Sequence, residues 1–311
     1  MLENIGPALA GLYPFFILGV IALDWILPRP RRFQPLWILR QSATQLAKKV
    51  HPSVARPRMQ QRISGLMAAA LLWVLIVGSV SAFYALVELK QLFALALLFL
   101  LLGQQPWRHE AKLILRALER DLKSLARSRL GSYLHRDCST LTAFSMQKAT
   151  LEHTIHQLQG WCGTLFWFVL LGPIGALNYR VLFELNKAWP QRLPGWQDFG
   201  YASATLFRIF NWLPERILLS LVWLYLRITR RQPTVEIASQ QAWYAYLSQV
   251  TDAPLGGPVK YRGITVSRPR WGVQKTREIS EIRFILRNLK LIQGFWLLLL
   301  FPLWLIINIQ V

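Results

Sequence analysis

The stretch Gly160–Arg180, GWCGTLFWFVLLGPIGALNYR, decides how the chain is read. It carries no charge before Arg180, and it is greasy enough to enter a bilayer. Gly172-Pro173 and Gly175 interrupt it, and it closes on the polar triplet Asn178-Tyr179-Arg180. Proline cannot donate to the helical ladder and clashes with the preceding turn, so a kink at Gly172-Pro173 is expected. Backbone groups freed by such a break need partners in an apolar medium. Either Asn178, Tyr179 and Arg180 supply those partners around a polar pocket, or Tyr179 and Arg180 snorkel to the membrane interface.

Of the 311 residues, 53% are hydrophobic, and the mean hydropathy is +0.29. A soluble protein of this length needs less apolar surface. Crossing a core about 30 Å thick takes about 20 apolar residues. The candidate segments are Ile5–Leu27, Gly65–Val87, Leu92–Trp107, Gly160–Phe183, Trp212–Ile228 and Gly294–Ile309. The third and fifth are short, which leaves five or six spans. The expected fold is all-α: a polytopic integral membrane protein with five or six transmembrane helices and amphipathic cytoplasmic helices, built as a single domain over 1–311. The first segment opens on Glu3 with no basic start and no small-x-small cleavage pattern, so it reads as an uncleaved span.

The formal net charge is +21 and is unevenly placed. Pro28–Ser64 holds nine Lys/Arg and no acid, and the stretches 108–159 and 227–290 are also basic. The positive-inside rule puts loops 28–64, 108–159 and 227–290 in the cytoplasm of a bacterial inner-membrane protein, with the N-terminus opposite. The same charge is suited to anionic lipid headgroups. No nucleic-acid-binding motif is present. Two cysteines, Cys138 and Cys162, imply no disulfide. Glycine-rich P-loop, nucleophile-elbow and Cys-x-x-Cys signatures are missing. HEAKLILRALERDLKSLARSRLGSYL, from His109, reads as helical, an amphipathic hairpin lying on the membrane or against the other helices. The Gly- and Pro-rich DAPLGGPVKYRGITVSRPRWG, from Asp252, reads as a short strand pair or ordered loop.

Five motifs in order along the chain carry a resemblance: LDWILPRP (Leu23–Pro30), ALERDLKSLARSRLGSYLHRD (Ala117–Asp137), LFWFVLLGPIGALNYR (Leu165–Arg180), FGYASATLFRIFNWLPERI (Phe199–Ile217) and LGGPVKYRGITVSRPRWG (Leu255–Gly272). Together they resemble the adenosylcobinamide-phosphate synthase family (CobD/CbiB), over nearly the whole chain. The resemblance implies an integral membrane protein of cobalamin assembly. Such proteins join an aminopropanol or its phosphate to cobyric acid in an ATP-dependent amide formation. It implies a corrinoid ligand and, if the family activity is kept, ATP and Mg²⁺. A hard divalent cation of that kind needs oxygen ligands, so the acids are the residues to check.

They are largely replaced. The family's Glu-Asn falls on Ile155-His156 and its following Asp on Gln159, while Glu152 stands one residue out of register with the first Glu. Its Asn-Thr-Leu-Asp becomes Phe183-Glu184-Leu185-Asn186, and its Asp-Asp becomes Phe207-Arg208. The early Gly-Asp-Pro reads Pro28-Arg29-Pro30. Ile, Gln, Asn, Phe and Arg cannot assemble an oxygen-ligand metal site. Arg208 is the one replacement that could neutralise phosphate directly. Three functions compete: a synthase with altered catalysis, a non-catalytic ligand-binding paralogue, and an inner-membrane signalling protein similar to the AmpE type, which likewise lacks the acids.

The candidate ligand-pocket residues are Asp24, Arg136, Asp137, Asn178, Tyr179, Arg180, Asn211, Arg216, Gly256, Gly257 and Tyr261; the catalytic residues are not identifiable. Asp24 is either functional or paired with Arg29 or Arg31. Arg136-Asp137 is either a local ion pair or part of a site. Asn211-Trp212-x-Pro214-x-Arg216 reads as a helix start, with Pro in the first turn. No metal site is expected from the family pattern. His135, Cys138, His153 and His156 are ligand types in paired i, i+3 spacing and form one zinc candidate. The topology is checked by cysteine labelling: residues placed at Ser53 and Ser267 are expected to resist an impermeant thiol reagent in intact cells. Labelling of either one reverses the assigned orientation.

Overall fold

The computed structural model describes residues 5–27, 35–51, 56–103, 105–134, 137–232, 235–236, 242–261, 264–272, 289–300 and 302. They are mostly helical. In chain order the elements are α1 (Ile5–Ile26), α2 (Pro35–Val50), α3 (Arg58–Leu86), α4 (Lys90–Leu102), α5 (Gln105–Glu119), α6 (Lys123–Gly131), α7 (Ala143–Ala188), α8 (Tyr201–Ile228), α9 (Ala242–Thr251), β1 (Leu255–Gly256), β2 (Val259–Tyr261), β3 (Ile264–Val266), β4 (Arg270–Trp271) and α10 (Leu289–Leu300). By length and composition, α3, α7 and α8 are apolar enough to cross a membrane. The chain divides into two compact units. The first comprises Met1–Pro106, Gly160–Asn211 and Leu297–Val311; the second comprises Trp107–Gln159 and Trp212–Trp296.

In the first unit α1 packs on α4, and α2 packs on α3 and α4. Leu36, Leu39, Ala43 and Ala47 form the buried face of α2 at three- and four-residue spacing. Lys48 and Lys49 occupy its last turn, where the helix dipole favours cations. The short third candidate, Leu92–Trp107, falls on α4, which has 13 residues and ends at Gly103. That is about 20 Å of helix, too short for the apolar core. Further along, Trp189 donates from its indole to the Ala43 carbonyl at 3.1 Å.

The 46-residue α7 is not one rod, because Gly172 has φ 70 and ψ −162, outside helical space. In a straight helix residues 163 and 179 would lie about 24 Å apart. Yet a Cβ on Gly163 would sit 2.1 Å from Tyr179 Cζ. One on Gly160 would sit 2.7 Å from Phe183 Cζ, and one on Gly175 2.9 Å from the Trp167 carbonyl oxygen. These pairs step outward evenly from residue 171, as they do only in an antiparallel helical hairpin. The break expected at Gly172-Pro173 is borne out, and it goes further than a kink, since the chain turns back on itself there. A positive φ is open to glycine at little cost. Pro173 then starts the return arm, where a missing N–H matters least.

A second proline is accommodated differently. Because α8 begins at Tyr201, the motif Asn211–Arg216 lies inside the helix and not at its start. Pro214 offers no N–H to the Phe210 carbonyl one turn back. The Trp167 indole donates to that carbonyl at 3.0 Å.

In the second unit the expected amphipathic stretch forms two helices, α5 and α6, separated where Asp121 takes φ 55. Trp107, Ala111, Ile114, Leu115 and Leu118 form the buried face of α5. Strands β1 and β4 pair antiparallel, with Leu255 opposite Trp271, and α9 packs on both. Strands β2 and β3 form a hairpin with Val259 opposite Val266. These four short strands qualify the all-α expectation. The end of the expected last span, beyond residue 300, falls mostly outside the described residues.

The indole-to-carbonyl bond makes a double-mutant cycle informative. Trp167→Phe is expected to cost about 1–3 kcal/mol, the penalty of a buried acceptor left unpaired. In a Pro214→Ala background the cost is expected to shrink, because residue 214 regains an N–H for the Phe210 carbonyl. Equal costs in both backgrounds, read by denaturant unfolding in detergent, would refute this.

Candidate functional site

The return arm of the α7 hairpin brings together much of the sequence-predicted pocket. Tyr179 and Arg180 are buried, not turned out to an interface. The Tyr179 hydroxyl donates to Asn211 Oδ1 at 2.8 Å. Asn178 donates to the Ile174 carbonyl at 2.8 Å and accepts from the Trp73 indole at 2.8 Å. The side chains that follow the Gly-Pro break thus bind backbone and neighbouring helices, as an apolar setting demands. Asp24 is buried within α1. The arginines proposed as its partners lie outside the described residues.

Next to this cluster is a group of charges. Arg180, Glu184 and Lys187 stand at i, i+4 and i+7 on one face of the return arm. Arg40 of α2 reaches Glu184 Oε2 with Nη2 at 2.6 Å and Nε at 3.1 Å. Arg180 Nη2 and Lys187 Nζ each approach Glu184 Oε1 at 3.4 Å. The Phe183 ring faces both cations, 5.0 Å from Arg180 and 4.8 Å from Lys187, a favourable cation–π geometry. Sequence reasoning missed Arg40, Glu184 and Lys187 as site residues. The helical spacing from Arg180 to Lys187 was a readable signal; Arg40, distant in sequence, gave none.

In the second unit a different set gathers around the glycine pair. Gly256 donates its N–H to Glu152 Oε1 at 2.9 Å, and Arg268 Nη2 meets Glu152 Oε2 at 3.2 Å. Arg268 Nε also donates to the Gly257 carbonyl at 3.0 Å. Gly256 has φ 75, and a Cβ there would strike the Pro269 carbonyl oxygen at 2.1 Å, so only glycine fits. Glu152, the displaced acid of the sequence comparison, clamps this turn. Tyr261 pairs with Ile264 in the β2–β3 hairpin. Asp137 bonds locally: hydrogen bonds from the Ser139 hydroxyl and N–H hold its carboxyl below the usual range. Arg216 sits part-buried on α8. Arg136 lies outside the described residues, as does His135.

Of the remaining zinc candidates, His153 bonds Gln157 and lies against the Trp107 ring. Among the described residues no three His, Cys, Asp or Glu are grouped to hold a metal ion. Two of the positions read from the sequence as replaced acids hold packing side chains. Ile155 is buried, and Phe207 sits against the rings of Phe183 and Tyr179 at 5.5 and 5.8 Å. Gln159 donates to Glu215 at 3.1 Å. Arg208 is exposed and bonds the Ala204 carbonyl of its own helix.

Comparison with known proteins agrees with the ordered motifs. The family described as CobD/Cbib protein matches residues 17–292. The cobalamin biosynthesis protein CobD of Chromobacterium violaceum is 27% identical over 293 residues, covering 91% of this chain and 93% of that one. Its namesake in Stutzerimonas stutzeri is 26% identical over 299 residues, covering 93% and 97%. The Listeria monocytogenes (serovar 1/2a) protein of the same name is 28% identical over 188 residues, covering 55% and 58%. No solved structure matches the chain.

Glu184 is the common partner of three cations, so its removal has a large expected effect. Glu184→Gln is expected to destabilise the protein by about 3–5 kcal/mol, the cost of breaking a buried ion pair by deleting one partner. Arg62→Gln, which breaks the more exposed pair with Asp198, is expected to cost no more than about 1 kcal/mol. Similar unfolding midpoints for the two variants would overturn this ranking.

Proposed function

Because the chain belongs to the CobD/Cbib protein family, we propose that it serves cobalamin assembly as a multi-pass inner-membrane protein. In this reading it keeps the family's scaffold and corrinoid handling while its amide-forming catalysis is feeble or lost. The observation that carries the reading is the filling of the aligned acid positions, above all Phe207 packed among aromatic rings. The basic loops would face the cytoplasm and its anionic headgroups.

An ATP-dependent ligase of this kind draws on a divalent cation held by oxygen ligands. The residues present do not fit one. Glu184, the carboxylate next to Phe183, is already shared by Arg40, Arg180 and Lys187. Glu152 is taken by Gly256 and Arg268. No step through a metal is therefore derived. Charge stabilisation by such an ion is worth several kcal/mol, and each ~1.4 kcal/mol is tenfold in rate.

The test is growth of a synthase-deletion strain on cobyric acid with this chain expressed in its membrane. No growth, or growth at a small fraction of the rate given by an acid-complete synthase, is the expected result. Full rescue would restore a working synthase and end the degenerate-site reading. If rescue fails and a cobyric acid column does not retain the protein either, the corrinoid role falls and the AmpE-like signalling reading takes its place.

A further inference from the structure

The reversal of α7 decides which parts of the chain share a side of the membrane. A crossing over Gly160–Phe183 would carry those two residues to opposite faces. Instead a Cβ on Gly160 would lie 2.7 Å from Phe183 Cζ, so the two arms open at one level. The loop that follows is tied to α2 and to the start of α3. Trp189 donates its indole N–H to the Ala43 carbonyl at 3.1 Å. His51 Nε2 lies 2.9 Å from the Gly195 carbonyl oxygen, and its ring rests against Trp196 and Phe199 at 4.8 and 4.6 Å. Arg62 Nε donates to Asp198 Oδ1 at 2.8 Å. Gly65 admits the Phe199 backbone, since a Cβ there would lie 1.9 Å from its carbonyl oxygen. Ala43, His51 and Arg62 all belong to the basic, acid-free stretch Pro28–Ser64.

The other end of the hairpin has the opposite character. No charged residue occurs from Gly160 to Tyr179, and the turn itself reads Leu170-Leu171-Gly172-Pro173-Ile174. Leu171 is 60% exposed, and among the described residues a Cβ on Gly172 would meet nothing within 4 Å. The outgoing arm from Gly160 to Leu171 has 12 residues, about 18 Å of helix against an apolar core about 30 Å thick. An apolar stretch of that length suits insertion part-way. A hairpin that crossed completely would set its turn in the far aqueous interface, where polar turn residues belong. It would also leave Arg180 and Glu184, about 12 and 18 Å back along the return arm, at the depth of the hydrocarbon.

We infer that α7 is a re-entrant hairpin. It enters the bilayer from the side that carries loop 28–64, ends near the midplane and returns to that side. The partner of its exposed turn is the acyl region of the lipid. The loop Trp189–Gly200 therefore faces the same compartment as loop 28–64, with no net crossing between the arms of α7. The 29 residues of α3, by contrast, run on past the hairpin and carry Glu88 to the other side. The inference rests on the membrane part of the reading above and not on the corrinoid role.

Single cysteines in the full-length chain test this. The native Cys138 and Cys162 are buried, and the parent chain sets the background. Gln197→Cys is expected to follow Ser53→Cys: an impermeant thiol reagent labels neither in intact cells and both after permeabilisation. Glu88→Cys is expected to be labelled in intact cells. Positions 88, 192 and 197 are exposed, so Arg192→Cys repeats the measurement if Gln197→Cys fails to fold. A nitroxide attached to Leu171→Cys in nanodiscs is expected to collide with dissolved oxygen in preference to a water-soluble nickel chelate. The proposal is overturned if positions 197 and 192 side with 88 against 53, or if the chelate reaches the nitroxide as freely as oxygen does. Labelling of 53 and 197 together in intact cells, with 88 protected, supports the hairpin and exchanges only the compartment. Labelling of 53, 88 and 197 alike in intact cells ends the membrane reading along with the hairpin. None of these readouts involves growth on cobyric acid, so the corrinoid role stands or falls separately.

Discussion

The close approach of Gly160 and Gly163 to Phe183 and Tyr179 is the constraint on which the first unit depends. Two helical arms with ordinary side chains pack at about 8–10 Å between axes. Glycine on one arm lets the large rings of the other lie directly on its backbone. The turn at Gly172 makes the reversal possible, but the glycine seam makes it a packed structure. Every polar group of the first cluster inherits its position from that seam. Tyr179 is pressed toward Asn211, Arg180 lies over Gly160, and Trp167 is left to serve the carbonyl that Pro214 frees.

The same geometry explains how strongly charged residues persist in an apolar arm. Glu184 is surrounded by three cations from two helices, and its carboxylate oxygens are fully engaged. Each ion is expensive to bury alone, and the cluster is tolerable only because its members compensate one another.

The second unit uses its acid for another end. Glu152 holds the Gly256 turn through a backbone N–H and through Arg268. A carboxylate committed to shaping a loop is not available as a cation ligand. Phe207, in its ring cluster, likewise serves packing.

The apolar stretches, the ordered family motifs and the break at Gly172-Pro173 were all legible in the amino-acid sequence, because hydropathy and proline chemistry are local properties. The direction of the break was not. A kink and a full reversal share the same glycine and proline, and only contact between residues sixteen apart in the chain distinguishes them. The misplaced helix start at Pro214 has the same origin: the indole that satisfies Phe210 comes from α7. Arg180, Glu184 and Lys187 share a helical face that sequence spacing reveals. That Arg40 completes their cluster was decided by the tertiary structure alone, since a pairing between distant helices depends on how they pack and not on any pattern within either one.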